Sequence, residues 1–441
     1  MQHNADSRWL PPAARTALGR AARKQTPRTA LADFNPAARI HATSELLAQS
    51  NRGRLPALAA LKRTHMLQSP FAYFRGSVPV MAADLAHAPH TGLDVQLCGD
   101  AHVSNLGSYI APDGLLVFDI NDFDETCRGP FEWDLKRLAA SIELAGSQAG
   151  SSPSVCARAV HACLAAYTHL IAQFAQMPAL EAFRFRVHRL EAVKPVASIL
   201  HMALRATPEH SLARLTVPAP HSHKNRIARR FRTQRPNLWR VTGREAKSVL
   251  ASLSAYSESL LPEQRHLLSR YRPIDVGFKV VGTGSIGLRD YVVLLEGNGP
   301  ADPLFLQIKQ ETSSAYAAYL PAAPADESHH GRRVALGTRL MQLQSDPFLG
   351  WTAIGPHHYL VRQLKDHKAA IDITRLRGTA LVAYAQVCGE LLARSHARSA
   401  DAAALHGYIG SGSKFTRAIA AFARAYATQT IADWRTFSRT Q

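Results

Sequence analysis

Residues 274–311, IDVGFKVVGTGSIGLRDYVVLLEGNGPADPLFLQIKQE, constrain the fold more than any other stretch. Three runs rich in β-branched, aromatic and aliphatic residues are separated by GTGSIG and by GNGPADP, both dense in turn formers. Such runs are strands, and short connections make consecutive strands antiparallel. Around this β texture the chain is mostly helical. Helices are expected from about 44 to 66, over EWDLKRLAASIELAGSQ, SVCARAVHACLAAYTHLIAQFAQ, RRVALGTRLMQLQ and ALVAYAQVCGELLARSHARS, and from about 414 to 437. Residues 178 to about 273 read as helical and basic, and HHYLVRQL as a further strand. LDVQLCGD, LGSYIA and LLVFDIND read as strands, the last two joined by the turn PDG. The class is therefore α+β, in 441 residues, enough for one large two-lobed unit. The expected organisation is a poorly ordered basic segment over 1–40, a helical large lobe over 41–270, a β-rich small lobe over 271–370, and helices returning to the large lobe over 371–441.

The first connection carries Gly282, Gly284, Ser285 and Gly287 in a GxGxxG pattern. In a dinucleotide-binding fold that pattern opens a helix. Here LRDYVVLLEG follows, so the loop joins two strands, as in the phosphate-covering flap of kinases. No GKS or GKT follows, which excludes a Walker loop. Lys309 comes 22 residues after Gly287, on the next strand. From there it reaches the phosphates of ATP beneath the flap. Taken alone, a solvated edge lysine is the commoner reading.

Residues 97–125, LCGDAHVSNLGSYIAPDGLLVFDINDFDE, gather acids in a chain of net charge +19. Asp100 and Asn105 have the D-x-x-x-x-N spacing of a phosphotransfer loop, in which the Asp orients the attacking hydroxyl and the Asn carbonyl ligates a metal. Asp119, Asp122 and Asp124 follow on the next strand, hard oxygen donors suited to Mg²⁺ or Mn²⁺. His102, His221 and His223 have no zinc-type spacing, and His102 reads as a loop brace. No GxSxG elbow and no EF-hand pattern is present.

The positive charge favours an anionic partner, although abundant Arg usage accounts for it equally. Residues 221–240, HSHKNRIARRFRTQRPNLWR, interleave Arg with Phe231 and Trp239 and offer a second reading, nucleic-acid binding. A solvated helix face is the commoner meaning of such a run. Five cysteines, without a CxxC pair, point to a reducing compartment. No signal-type h-region and no run of about 18 apolar residues is visible, so a cytoplasmic protein with no membrane span is expected.

GDAHVSN, then FDINDFDE and GPFEWDLKRLA, resembles the aminoglycoside and choline kinase pattern of a GDxHxxN loop, an acidic strand and a helix-opening Asp. More closely, SPFAYFRG, GDAHVSNLG, VFDINDFDE, EWDLKRLAAS, VGTGSIGLRDY, RLMQLQSDPFLGW, YLVRQLKDHK and LARSHARSAD together resemble a bacterial family, domain of unknown function 2252, over roughly residues 40–435. That resemblance implies a protein-kinase-like fold. Asp100 becomes the catalytic Asp, Asn105 a metal ligand, and Asp122, with Asp119 as the alternative, the metal carboxylate. Gly282, Gly284 and Gly287 become the flap and Lys309 the phosphate Lys. YLVRQLKDHK becomes the connection between lobes, with Gln363 and Leu364 beside adenine. Arg75 and Arg289 are candidates to meet phosphate or the acidic cluster. The implied partners are ATP with Mg²⁺ and an acceptor hydroxyl on an unknown small molecule or protein.

Three features depart from that pattern. The flap follows the catalytic loop by roughly 180 residues instead of preceding it, which implies a circular permutation. It also implies that the helix ending LLARSHARS sits beside the catalytic loop in space. RRVALGTRLMQLQ has no Glu to pair with Lys309, leaving Glu311 or Glu327 as substitutes. Cys98 stands where simple kinases of this type often carry His. Nucleotidyl transfer and a pseudokinase therefore remain alternatives.

Overall fold

In the computed structural model, residues 10–187, 190–204, 208–219, 229–280, 282, 284–321, 328–364 and 371–439 are described. The N-terminal part is helical: α1 (Pro12–Gln25), α2 (Thr43–Ser50), α3 (Pro56–Leu67), α4 (Pro70–Gly76) and α5 (Val78–Ala86). The single helix expected over 44–66 is two. Gly53 takes a positive φ of 78° and Pro56 starts α3, so the chain turns between them.

The segment expected to be poorly ordered is anchored from α1 onward; residues 1–9 lie outside the described residues. Its arginines bond the C-terminal end of α15 (Ala402–Ile409): Arg23 donates to the Tyr408 carbonyl at 2.8 Å and Arg28 to that of Ile409 at 2.9 Å. Cations at a helix C-terminus meet both the orphan carbonyls and the negative end of the dipole. Arg15 pairs with Asp401 at 2.9 Å, and Leu31 is fully buried. The basic composition that suggested a loose arm is what holds it.

Next come β1 (Asp94–Leu97), the hairpin β2 (Leu106–Ile110) and β3 (Leu116–Ile120), and β4 (Cys127–Pro130), which pairs with β1. Helices α6 (Glu132–Gln148) and α7 (Pro153–Phe174) follow, then α8 (Ala179–Arg184), α9 (Lys194–Leu204) and α10 (Pro208–Leu215). The region read as wholly helical then holds three short strands, β5 (Thr216–Pro218), β6 (Arg229–Phe231) and β7 (Leu238–Val241), before α11 (Gly243–Glu258) and α12 (Pro262–Leu268). The remainder is β8 (Arg272–Lys279), β9 (Asp290–Glu296), β10 (Pro303–Glu311), α13 (His330–Met341), β11 (Gly350–Ile354), β12 (His357–Gln363), α14 (Gly378–Ser399), α15 and α16 (Ser413–Arg439).

One antiparallel sheet runs β11-β12-β10-β9-β8-β7. Both of its faces are covered. Val293 and Leu295 pack with Val249, Tyr256 and Leu58 on one side, and Val292 and Leu294 with Leu215, Phe231 and Phe305 on the other. That is why β9 reads as a continuous apolar run and not as an alternation. A separate core lies among α6, α7, α14 and α16, with Trp133, Tyr167, Tyr384 and Tyr408 at 2 % exposure or less. Each such ring contributes about 1.5–3 kcal/mol by leaving water. Helix α7 is long and apolar enough to cross a membrane by composition, yet Cys163, Leu164, Tyr167 and Ile171 are fully buried in this core.

The rings proposed to stack on nucleic acid are used internally. Phe231 is 2 % exposed and meets Phe305 edge to face; Trp239 stacks on Phe278 at 4.2 Å, with the Arg235 guanidinium over its ring. His221, His223 and the basic residues up to 228 lie outside the described residues.

Candidate active site

The loop after β1 is clamped before it reaches Asp100. Gly99 has φ +81°, and a Cβ there would run into the Glu125 carbonyl. Asp134, in the first turn of α6, accepts the N–H groups of Cys98 at 2.7 Å and Gly99 at 3.0 Å. Its Oδ2 also lies 3.2 Å from His396 Nε2 of α14, whose Nδ1 is 2.8 Å from the Tyr167 hydroxyl. Tyr316 donates to the Gly99 carbonyl at 2.8 Å. These partners are all nearly sealed from water, where charge-assisted bonds are strongest.

Asp100 then faces Arg137, three residues after Asp134 on α6. The guanidinium donates to Oδ1 from Nε at 2.7 Å, and its Nη2 lies 2.5 Å from the same oxygen in an ion pair. Arg137 is fully buried, lies over the Phe74 ring and donates to the Phe74 carbonyl. His102 Nδ1 accepts the Ser104 N–H, which leaves the proton on Nε2, 3.6 Å from Asp100 Oδ2. Burial, offset in part by Asp100, pushes the His102 pKa down to about 3, so the ring is neutral at pH 7.

Asn105 explains the D-x-x-x-x-N spacing. Its Nδ2 donates to the Asp100 carbonyl at 2.9 Å and the Asp122 carbonyl at 2.8 Å, tying the loop after β1 to the segment after β3. Two carbonyl acceptors fix which end of the amide is nitrogen. The opposite atom, Oδ1, is buried without a hydrogen-bond partner among the described residues. An orphaned carbonyl oxygen beside carboxylates suits a hard cation.

The acids after β3 divide by direction. Asp119 is fully buried and bonds Arg394 of α14 at 2.5 Å; it also accepts the N–H groups of Ile120 and Leu343. Its oxygens are thus occupied away from Asp100, and it is not placed as the alternative metal ligand. Asp122 and Asp124 instead meet Lys309 of β10. The ammonium, 3 % exposed, is 2.6 and 2.5 Å from the two Asp124 oxygens and 3.4 Å from Asp122 Oδ1. Burial opposes the Lys309 charge, but Asp122 and Asp124 win and hold its pKa above the usual lysine value. Burial and then Asp122 push the Asp124 carboxyl up, against Lys309. Glu311, also buried, has an unpartnered Oε1 and is driven up by burial and Asp124. One ammonium thus serves three carboxylates, and the cluster carries room for further positive charge.

Above this lies the Gly-rich loop, with Gly282 at φ +69° and Gly287 at +100°. The Leu55 N–H donates to the Gly287 carbonyl at 2.8 Å and Arg54 to that of Ile286 at 2.7 Å, so the link between α2 and α3 tethers it. Val281 and Thr283 lie outside the described residues. A cleft opens between Asp100, His102 and Asp122 on one side and Gly282, Gly284 and Ser285 on the other. Among the described residues no three His, Cys, Asp or Glu side chains form a ready-made metal cage. Magnesium rarely has one; it takes one or two protein oxygens and completes its shell with phosphate and water.

A family model described as an uncharacterized protein conserved in bacteria (DUF2252) matches residues 54–440, which includes both walls of the cleft. The chain belongs to the DUF2252 family. No curated protein and no solved structure matches it. In this DUF2252 chain Gln363 and Leu364 do not line the cleft. The Gln363 N–H donates to Asp346 and that of Leu364 to the Phe305 carbonyl, while the Leu364 side chain packs into the core of the sheet. The backbone donors that adenine would need there are already used. Arg289 is likewise turned to Gln310. Glu327 lies outside the described residues, and the partner expected on the helix after β10 is supplied instead by Asp124. Asp124 follows Asp122 by two in the irregular segment after β3, and both carboxylates meet Lys309 there. Arg54 and Arg137 were missed because no local signal marks them.

The α14 end does sit beside the loop. The Gln96 N–H of β1 donates to Ser399 Oγ at 3.2 Å, while Arg394 and His396 reach Asp119 and Asp134.

Proposed function

We propose that this DUF2252 protein is a kinase-like phosphotransferase, two-lobed and circularly permuted, that binds Mg·ATP in the cleft and phosphorylates a hydroxyl. The observation that carries the reading is the meeting of Lys309 with Asp122 and Asp124 across 187 and 185 residues of chain, in the cleft that Asp100 and the Gly-rich loop also line. The helix ending in Ser399 seats beside β1, where an unpermuted chain would lead into the catalytic loop.

Lys309, prealigned by its two carboxylates, takes the non-transferred phosphates beneath the Gly-rich loop. Asp100, held by Arg137, accepts a hydrogen bond from the acceptor hydroxyl and aims its oxygen at the terminal phosphorus. The new O–P bond forms as the bond to the ADP oxygen breaks, and the hydroxyl proton passes to Asp100. Asn105 Oδ1 and Asp122 are the oxygens that would hold magnesium, which supplies charge neutralisation between the phosphates.

The test is ligand-induced thermal stabilisation. Millimolar ATP with Mg²⁺ raises the melting temperature of the wild type, and Asp122→Ala and Lys309→Ala lose that increment. No increment in the wild type overturns the reading. Separate incubations with α- and γ-labelled ATP tell phosphoryl from nucleotidyl transfer.

A further inference from the structure

Two guanidinium groups enter the cleft from the N-terminal helices, outside the β10 lysine and the acidic loop. Arg75 comes from the last turn of α4 and Arg54 from the link between α2 and α3, and both line the cleft beside Gly282 and Gly284. Arg75 makes no hydrogen bond or ion pair to a described residue, and its Nε is sealed from water without a partner. Asp100 lies within electrostatic range, but its Oδ1 is bonded by Arg137. Asp122 is also in range and faces Lys309. Arg54 bonds only the neutral carbonyls of Ser50 and Ile286. Lys62 of α3, buried behind it, has no ion pair among the described residues either. The guanidinium groups of Arg75 and Arg54 thus stand without a salt bridge among the described residues, although Glu125 and Asp124 lie in electrostatic range of Arg54. Leaving such charge unpaired is costly unless an anion arrives.

The chemistry of that anion follows from the donors. A guanidinium presents a planar fork that matches a phosphate in two parallel bonds. The Gly-rich loop passes over the same place: a Cβ at Gly284 would be 3.9 Å from the Arg75 carbonyl, and one at Gly287 3.0 Å from the Arg54 side chain. We infer that Arg75, with Arg54 behind the loop, binds a phosphate oxyanion between the Gly-rich loop and Asp100. Only the identity of that phosphate rests on the Mg·ATP reading: it is either the terminal phosphate of the nucleotide or a phosphate already on the acceptor.

Calorimetric titration of the full chain with inorganic phosphate and with tripolyphosphate, without metal, tests the site. The wild type binds both at millimolar concentration, Arg75→Gln binds about ten- to a hundredfold more weakly, and Arg75→Lys falls between, keeping charge but losing the fork. The unliganded Arg75→Gln protein melts no lower than the wild type, because no hydrogen bond or ion pair among the described residues is lost with that side chain. Equal phosphate binding by the wild type and Arg75→Gln overturns the inference, as does an absence of wild-type binding. A lower melting temperature with unchanged binding overturns it too, since that marks a structural arginine. Repeating the titration with Mg·ADP or a non-hydrolysable Mg·ATP analogue present assigns the source. Exclusion by the triphosphate alone identifies the terminal phosphate, and binding beside both identifies a phosphorylated acceptor. Arg75-dependent phosphate binding without any Mg·ATP binding leaves the site standing and removes the phosphotransfer reading.

Discussion

Replacing Lys309 with Met removes the one ammonium that serves Asp122, Asp124 and Glu311 while keeping the bulk of the side chain. Breaking a buried ion pair from one side costs about 3–5 kcal/mol, because the other charge is left behind. Here the partners are not sealed: 23 % of the Asp124 side chain and 46 % of Asp122 remain exposed, so solvent screens part of the loss. About 2–4 kcal/mol is expected near neutral pH. The pH dependence gives the result its signature. Without Lys309 the Asp124 carboxyl, already raised by burial and by Asp122, moves further above its unfolded value. The folded state then holds a proton that the unfolded chain releases, so stability falls as pH rises between the unfolded and folded values. Urea denaturation followed by circular dichroism should show the largest deficit at about pH 8, shrinking toward about pH 5. Adding Asp124→Leu to Lys309→Met should recover at least half of the loss at the higher pH, since the stranded charge goes with it. The reasoning is wrong if Lys309→Met costs under about 1 kcal/mol, if the deficit is the same at both pH values, or if the second substitution deepens it.

Other substitutions separate the framework from the cleft. Asp119→Asn strands a buried Arg394 and should lower stability by about 3–5 kcal/mol in the same urea assay, while the ATP-induced melting increment survives. Loss of the increment at retained stability would return Asp119 to the metal site. Asp134→Asn weakens the bonds to Cys98, Gly99 and His396 and should cost about 1.5–3 kcal/mol, with faster hydrogen exchange at the Cys98 and Gly99 amides. Unchanged exchange there would show the clamp to be idle. Lys62 has its pKa lowered to about 7 by burial and then Arg54, so the unfolded chain binds the extra proton from about pH 7 up to the unperturbed 10.5. Stability should therefore rise with pH across that window, by up to about 1.4 kcal/mol per unit, and Lys62→Met should flatten the rise. A slope identical in both proteins would assign it elsewhere.

What could be read before folding was whatever is written locally. The Gly-rich connection, the PDG hairpin and the helix opened at Glu132 all formed where glycine spacing, alternation and a change of period placed them. Strands β5 to β7 escaped because three or four residues carry too little of a two-residue period, and arginines within them read as a solvated helix face. Gln363 and Leu364 were placed by order along the chain, yet sheet register assigned their N–H groups to Asp346 and Phe305. Asp119, Asp122 and Asp124 look alike in sequence; what tells them apart is Arg394 on one side and Lys309 on the other, residues 275 and 185 positions away. The same holds for the cations. Arg137 and Arg75 are both arginines near the acidic loop, but one bonds Asp100 at 2.7 Å and the side chain of the other has no hydrogen bond or ion pair among the described residues. A chain that buries one guanidinium paired and leaves its neighbour unpaired has divided structure from recognition between them, and it is the unpaired one that a ligand must complete.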